Sequence, residues 1–290
     1  MDKKYFGFAV IAVLGFAACH NIFNKDKAVS KRSSNKATNT SEYSTDSLVT
    51  QNSSASKDSN LRYVYLTFDD GPDAGTLNCY NTCKSKGVKA TFFLVGEHAT
   101  LKPGKKIMDT MKKDMRHFLF ANHSFTHAGH NRYEGFYSNP KTALADFLRV
   151  QDSIQFNHAI ARFPGNNVWM VENTTRTTKL TRPLSKLMDS VGYDIFGWDV
   201  EWHFNRKNEP IQSAEEMAEE VITAVETNTS LVKNHVVLLA HDRMFKEPNN
   251  RDSLAKMISI LQSKKGYIFE TADQYPKIRK NDKSVIAVRK

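Results

Sequence analysis

The sequence predicts an α/β fold whose parallel strands close into a barrel. Strand-like and helix-like segments alternate between residues 61 and 275, which favours a parallel sheet. The seven strand-like runs fit either a doubly wound sheet or a closed barrel. Five of them end in charged or metal-binding residues. A barrel gathers many strand ends around one axis, whereas an open sheet forms its site from two neighbouring strands, so a TIM-barrel-like (β/α) barrel is favoured.

The first strand-like run, residues 62–68, is rich in β-branched and aromatic residues, and Gly71-Pro72 ends it. Residues 235–240 are almost continuously apolar, as expected for a strand covered on both faces. The other strands are predicted at residues 89–95, 117–122, 159–163, 194–199 and 266–270. Helices are predicted at residues 74–86, 104–114, 141–157, 182–191, 213–228 and 251–264, with Ser213 and Glu216 as a capping box.

Polar residues with catalytic or metal-binding chemistry stand at five strand ends. They are Asp69 and Asp70, Asn122 and His123, Arg162, Asp199 and Glu201, and His241 and Asp242. Because the carboxyl ends of barrel strands share one rim, we expect these side chains to line a common site.

Residues 1–19 have the pattern of a secretory signal. Two lysines precede an apolar run at residues 5–18, which at about 1.5 Å per residue is too short for a bilayer core of about 30 Å. Phe16-Ala17-Ala18-Cys19 resembles a bacterial lipoprotein processing box, which predicts a lipid anchor at Cys19. Ordinary cleavage and an uncleaved anchor are the alternatives.

Residues 20–60 form a predicted disordered linker rich in Ser, Asn, Thr and Lys, with too few apolar residues to form a core. The net charge of +10 divides into +3 in residues 1–60, +5 in a basic tail at residues 276–290, and +2 between them. The sequence has no basic stripe with interleaved aromatic residues, which argues against nucleic acid as a partner. Residues 61–275 are long enough for one domain with a large core.

Adjacent carboxylates, Asp69 and Asp70, close the first strand, where like charges repel unless a cation lies between or beside them. His123 and His127 are four residues apart, a spacing that allows both rings to bind one cation. With one of the carboxylates they supply three ligands and leave a position for water, as in catalytic zinc sites. Taken alone, the histidines also fit a surface loop and the aspartates a turn.

Together these motifs resemble the polysaccharide deacetylase family, carbohydrate esterase family four. The first two motifs are Thr67-Phe68-Asp69-Asp70-Gly71-Pro72 and His123-Ser124-Phe125-Thr126-His127. Arg162-Phe163-Pro164-Gly165-Asn166, Asp199-Val200-Glu201-Trp202 and Leu239-Ala240-His241-Asp242 are similar to the next three, in order. The resemblance covers residues 61–245 and implies a distorted seven-stranded barrel that removes acetyl groups from sugars with a bound metal ion.

The resemblance also implies the metal ligands and the base. Asp70, His123 and His127 would hold a divalent ion, Zn²⁺ in the first place and Co²⁺, Ni²⁺ or Mn²⁺ otherwise. Asp69 would take a proton from water, and Arg162 beside it would favour its ionised form by opposite charge.

The later motifs imply the acid and the substrate contacts. His241 would protonate the leaving sugar nitrogen, oriented by Asp199 or alternatively by Glu201. The family often has Tyr at the position of Gly165, so a pocket wall is lost here although a backbone N–H for the oxyanion is kept. The polar segment 166–183 is predicted as a substrate loop or a mobile insertion. The predicted substrate-binding residues are Gly165, Trp202 as a sugar-stacking or apolar face, and Leu239 as a wall of the acetyl pocket.

The sequence therefore predicts a metal-dependent deacetylase of N-acetylated sugars in a peptidoglycan- or chitin-like polysaccharide. We expect a monomer in the bacterial envelope, anchored through Cys19 or released into the periplasm or medium. An O-acetyl esterase acting on xylan or another acetylated glycan is the alternative within the enzyme class. A glycan-binding lipoprotein without catalysis is the alternative outside it.

Overall fold

The computed structural model describes residues 60–279. The predicted signal segment and lipid anchor, nearly all of the linker, and the tail from residue 280 onward lie outside the described residues. Each helix within residues 60–279 falls short of the length and hydropathy that a bilayer crossing requires.

Strands and helices alternate along most of the described part. The strands are β1 Arg62–Asp69, β2 Ala90–Leu94, β3 Phe118–Asn122, β4 Ile160–Ala161, β5 Trp169–Val171, β6 Thr174–Arg176, β7 Asp194–Ile195, β8 Val200–Glu201, β9 His235–His241 and β10 Tyr267–Phe269. The helices are α1 Thr76–Ser85, α2 Gly96–Thr100, α3 Lys102–Met111, α4 Tyr133–Tyr137, α5 Pro140–Ser153, α6 Arg182–Ser190, α7 Ala214–Glu226 and α8 Pro248–Ser263. Short 3-10 helices lie at Lys112–Asp114, Asp242–Phe245 and Ala272–Gln274. Ser213 and Glu216 form the predicted capping box at the start of α7.

All these strands belong to one mainly parallel sheet. Their order is β6-β5-β7-β4-β3-β2-β1-β9-β8, and β10 pairs with the start of β1. The single stretch 194–201 pairs with β4 through β7 and with β9 through β8. Because one stretch of chain joins two distant parts of the sheet, the sheet curls. The predicted α/β fold with a barrel-like sheet is confirmed.

The stretch 194–201 is broken, in contrast to the continuous strand predicted at residues 194–199. Arg162 donates from Nε to the Phe196 carbonyl over 3.0 Å and from Nη2 to the Gly197 carbonyl over 2.8 Å. The Asn167 side chain exchanges two hydrogen bonds with the backbone of Trp198. These backbone groups bond to side chains, and the strand ladder is interrupted there.

The segment 166–183 contains a hairpin, which corrects the predicted loop or mobile insertion. β5 and β6 pair antiparallel, with Trp169 opposite Arg176, and β5 also pairs with β7. Trp169 and Val171 are buried. The remaining residues of the segment are mostly polar, so the distribution of apolar residues did not predict the two short strands that extend the sheet.

Strand β1 serves both the core and the rim. Leu66 and Phe68 pack in the layer between the sheet and the helices, whereas Tyr65 belongs to a separate core cluster on the opposite face. Successive side chains of a strand point to opposite faces. Thr67 and Asp69 therefore follow Tyr65 towards the barrel interior, and Asp69 reaches the C-terminal rim.

The folded part continues past the predicted boundary at residue 275. Ile278 is buried. Arg279 Nε donates to Asp194 Oδ1 over 2.7 Å, and the backbone N–H of Arg279 donates to Asp194 Oδ2 over 2.8 Å. The first residues of the predicted basic tail thus pack against the domain.

Candidate active site

The C-terminal ends of the parallel strands surround a cleft of about 600 Å³. Asp69 at the end of β1, His123 after β3, Glu201 at the end of β8 and His241 at the end of β9 all line it. Asp70 lines the cleft as well. The rim therefore brings together most of the residues that the sequence singled out.

Asp70, His123 and His127 form a compact cluster. His127 Nε2 lies 2.9 Å from Asp70 Oδ1, and His123 Nε2 lies 3.4 Å from the same oxygen. One nitrogen or oxygen atom from each residue falls within 4.8 Å of the others. Asp70 and His123 are buried, whereas the His127 side chain is 17% exposed, so the cluster opens to the cleft on the His127 side.

Both imidazole rings are oriented through their second nitrogen. His123 Nδ1 donates to the backbone carbonyl of Arg162 over 3.0 Å, and His127 Nδ1 donates to Asn131 Oδ1. A proton on each Nδ1 directs the Nε2 lone pairs towards Asp70 Oδ1. Within residues 60–279 this buried oxygen has no hydrogen-bond donor. Three electron-pair donors that face one space fit a divalent cation such as Zn²⁺.

The electrostatics of the cluster favour positive charge beside Asp70. Burial opposes the ionised form of Asp70, but His123 and His127, in the forms that carry a proton on Nε2, outweigh it and hold the pKa of this carboxyl well below its usual range. Burial also disfavours the protonated form of His127, yet Asp70 raises the pKa of His127 above its ordinary value. A proton on His127 and a metal ion are therefore alternative partners for this carboxylate.

A left-handed turn at residues 127–131 carries the second histidine of the cluster. The φ angles along it are 49°, 53°, 65°, 60° and 66°, a conformation that only Gly129 adopts without strain. Asp146 Oδ2 accepts hydrogen bonds from two backbone N–H groups before the turn, and its Oδ1 accepts from the Thr126 hydroxyl over 3.0 Å. These contacts fix the direction of His127.

Asp69 lies beside the cluster and pairs with Arg162. Arg162 Nη1 donates to Asp69 Oδ1 over 2.8 Å, and the whole Arg162 side chain is buried. Its other N–H groups donate to Thr67 Oγ1 and to the carbonyl oxygens of Phe196 and Gly197. Burial lowers the pKa of Arg162, and the Asp69 carboxylate opposes that change. Asp69 Oδ2 lies 3.7 Å from His123 Nε2, so one oxygen is held by Arg162 while the other faces the cluster.

His241 approaches the cluster from β9. Its Nε2 lies 3.9 Å from Asp70 Oδ2, and its ring packs edge-on against Phe204 with 4.9 Å between centroids. Burial lowers the pKa of His241, although Asp70 and Asp69 oppose this effect. Its Nδ1 atom is buried and has no hydrogen-bond partner in the described part of the chain. Arg243 donates from Nη2 to Asp70 Oδ2 and brings a further cation into the cleft.

The prediction that Asp199 orients His241 is wrong. Asp199 Oδ1 accepts from the Leu231 N–H over 2.8 Å, and Oδ2 accepts from the Val237 N–H over 2.9 Å. Asp199 lies outside the set of cleft-lining residues, and burial raises its pKa. The Asp199 carboxylate instead binds the backbone at Leu231, before β9, and at Val237, near the start of β9. Glu201, the alternative, lines the cleft.

The prediction that Trp202 contacts substrate is also wrong. Trp202 is fully buried, and its Nε1 donates to the Gln212 carbonyl over 2.9 Å. The alternation along β8 turns its ring away from the rim and against Phe245. Gly165 and Leu239, the two other predicted substrate contacts, line the cleft.

Sequence reasoning missed four cleft residues with bulky side chains: Tyr133, Trp198, Phe204 and Arg243. Trp198 stands directly before the fourth motif and Arg243 directly after the fifth, so adjacency to a motif was a usable signal for both. Tyr133 and Phe204 lie outside the motifs, and only tertiary packing brings them to the site.

Comparisons with known proteins find similarity to deacetylases. The family model described as polysaccharide deacetylase matches residues 56–162. A chitin disaccharide deacetylase of Vibrio alginolyticus is 23% identical in an alignment 304 positions long, which covers 73% of this chain and 71% of that protein. A peptidoglycan-N-acetylglucosamine deacetylase of Bacillus cereus is 27% identical in an alignment 226 positions long, which covers 72% of this chain and 68% of that protein.

The fold is similar to that of a solved deacetylase structure. The catalytic domain of a peptidoglycan N-acetylglucosamine deacetylase from Eubacterium rectale superimposes with a TM-score of 0.55 at 24% identity. The match covers 76% of this chain and 94% of that one. At this level of identity the likeness concerns the fold.

Proposed function

We propose that this chain is a hydrolase of the polysaccharide deacetylase family, and that it removes acetyl groups from N-acetylated sugars of a peptidoglycan- or chitin-like polysaccharide with the help of a divalent metal ion. One observation carries the proposal: the cluster of Asp70, His123 and His127 shares a cleft with the Asp69–Arg162 pair and with His241. The substrates for which the Vibrio and Bacillus relatives are named, chitin disaccharide and peptidoglycan, support the substrate class.

The three-residue cluster is the proposed metal site, with Zn²⁺ as the first candidate and Co²⁺, Ni²⁺ or Mn²⁺ as alternatives. A Zn²⁺-type ion held there would polarise the acetyl carbonyl and would lower the pKa of bound water towards neutrality. Three protein ligands leave room for water and substrate.

Asp69 is the proposed general base. Its Oδ1 is held by Arg162, and its Oδ2 faces the cluster and is the oxygen that would accept a proton from the attacking water. Arg162 is bonded to four acceptors and is fully buried, so it holds the carboxylate in one orientation.

His241 is the proposed general acid. Its imidazolium would give a proton from Nε2 to the sugar nitrogen as the bond between that nitrogen and the acetyl carbon breaks, which releases acetate and a free amine. The lowered pKa of His241 makes the imidazolium a stronger proton donor. We assign the oxyanion contact to the Gly165 backbone N–H and the wall beside the acetyl methyl to Leu239, since both line the cleft.

The site of action that we propose is the bacterial envelope. The support is the signal-like and lipoprotein-like pattern of residues 1–19, with Cys19 as the anchor, and the polar linker that follows. A monomer tethered in this way could reach a polymer some distance from the membrane.

A substrate panel tests the reaction. Acetate should be released from peptidoglycan or N-acetyl chitooligosaccharides, and acetylxylan should give less. Release from acetylxylan alone would instead identify an O-acetyl esterase. Glycan binding without any acetate would identify a binding protein and overturn the enzymatic proposal.

A further inference from the structure

We propose that Tyr133 contacts the sugar that carries the acetyl group, and that residue 165 must be glycine for the Tyr133 ring to take this place. The inference rests on the proposed function and adds to it a residue that determines sugar specificity. Tyr133 begins α4, outside every motif of the sequence, and it lines the same cleft as the metal-binding cluster.

The Tyr133 ring closely approaches the backbone of Gly165. A Cβ atom on residue 165 would lie 2.8 Å from Cζ, 2.9 Å from Cε1 and 3.1 Å from Cε2 of the Tyr133 ring. Gly165 also has a φ of +66°, which side-chain-bearing residues rarely adopt. Glycine therefore allows the end of the ring to lie directly against the backbone, and the ring fills the space that a side chain at 165 would occupy.

Tyr133 is held beside the metal-binding cluster. Its hydroxyl donates to Asn131 Oδ1 over 3.0 Å, and the same oxygen accepts the hydrogen bond from His127 Nδ1. The rings of Tyr133 and His127 meet edge to face, with 6.2 Å between centroids. A sugar whose acetyl group reaches the cluster would therefore pass within contact distance of the Tyr133 ring.

The exposed part of the Tyr133 ring suits contact with a sugar. Tyr133 is half-buried, so part of the ring remains open to the cleft. Trp198 and Phe204 line the same cleft, and aromatic walls with a few polar groups are typical of ligand sites. An aromatic ring provides a flat apolar surface for the C–H face of a pyranose, while its hydroxyl keeps the ring in place.

The test is the kinetics of acetate release from N-acetyl chitooligosaccharides by the metal-loaded full-length chain. Tyr133→Ala should raise KM about tenfold while kcat changes less than about threefold, because a ground-state contact is lost. Tyr133→Phe keeps the ring and should recover most of the loss in KM. Tyr267→Ala removes a half-buried tyrosine outside the cleft and serves as the matched control.

A double-mutant cycle tests the link to residue 165. Gly165→Ala should raise KM in the wild-type background, where the new methyl group pushes against the ring, and much less in the Tyr133→Ala background. Equal effects in both backgrounds would contradict the coupling.

Two results would overturn this inference and leave the proposed function standing. An unchanged KM in Tyr133→Ala would exclude the sugar contact. A fall in kcat together with weaker Zn²⁺ binding would show that Tyr133 acts only through Asn131 and His127. A wild-type chain that releases no acetate from any glycan would contradict the proposed function and, with it, this inference.

Discussion

Arg162 donates a hydrogen bond from Nη1 to Asp69 Oδ1 over 2.8 Å, and both side chains are buried. The other N–H groups of Arg162 bind carbonyl oxygens in the broken stretch 194–201. One guanidinium group thus joins the proposed base to the stretch that links β4 with β9. The orientation of the base and the curl of the sheet depend on the same side chain.

Arg162→Gln should therefore destabilise the fold. Loss of the guanidinium removes the donor to the buried Asp69 carboxylate and the donors to the carbonyl oxygens of Phe196 and Gly197. Breaking a buried ion pair lowers the free energy of unfolding by about 3–5 kcal/mol. Urea denaturation followed by circular dichroism measures the change. Arg251→Gln, which removes an exposed arginine beside Asp252, is the control and should have little effect. A comparable effect from both substitutions would contradict the role of Arg162.

Asp69→Asn should abolish most turnover and leave metal binding intact. The amide keeps an oxygen for Arg162 but cannot take a proton from water, and general base catalysis contributes about 100- to 10,000-fold to a rate. Acetate release measures kcat, and calorimetric titration with Zn²⁺ measures affinity. If kcat is preserved, Asp69 is not the base; if Zn²⁺ affinity collapses, Asp69 is a ligand.

Arg243→Gln should tighten metal binding. The Arg243 guanidinium pairs with Asp70 Oδ2, so its positive charge competes with a cation for the same carboxylate. Removal of this charge should lower the dissociation constant for Zn²⁺ about tenfold, measured by calorimetry. Arg251→Gln is again the control. Weaker or unchanged Zn²⁺ affinity in Arg243→Gln would contradict the competition.

The metal-free protein should lose stability as the pH falls from neutral, in part because of His241. Burial lowers the pKa of His241 in the folded state below the ordinary value of 6.5, so the unfolded chain takes up a proton that the folded chain resists. The stability that neutral His241 contributes is present above the unfolded pKa and is lost as the pH falls through the folded pKa. His241→Gln should show a shallower decline over this range in urea denaturation with chelator present. If the free energy of unfolding declines equally with falling pH in the wild-type and His241→Gln proteins, the lowered pKa of His241 is contradicted.

The sequence predicted the repeating β/α architecture because hydrophobic runs and capping residues are local signals, as at Ser213. The sequence also predicted that His123 and His127 meet one of the two adjacent carboxylates, and the family resemblance identified that carboxylate as Asp70. It failed at Asp199 and Trp202, where the break in stretch 194–201 decides which side chains reach the cleft. That break depends on hydrogen bonds from distant residues.

The surroundings of Gly165 also could not be predicted from the sequence. The sequence suggested that a pocket wall is lost at this position. In the structure the Tyr133 ring, 32 residues earlier in the chain, lies against Gly165. Only the fold brings the two together, so a pattern read along the chain could not reveal the replacement.

The most direct test of the central claim is acetate release from N-acetyl chitooligosaccharides or peptidoglycan before chelation, after complete chelation and after addition of Zn²⁺ or Co²⁺. If Asp70, His123 and His127 hold a catalytic ion, acetate release should fall to background when the metal is removed and return when it is restored. Undiminished acetate release from protein that metal analysis shows to be metal-free would contradict the account.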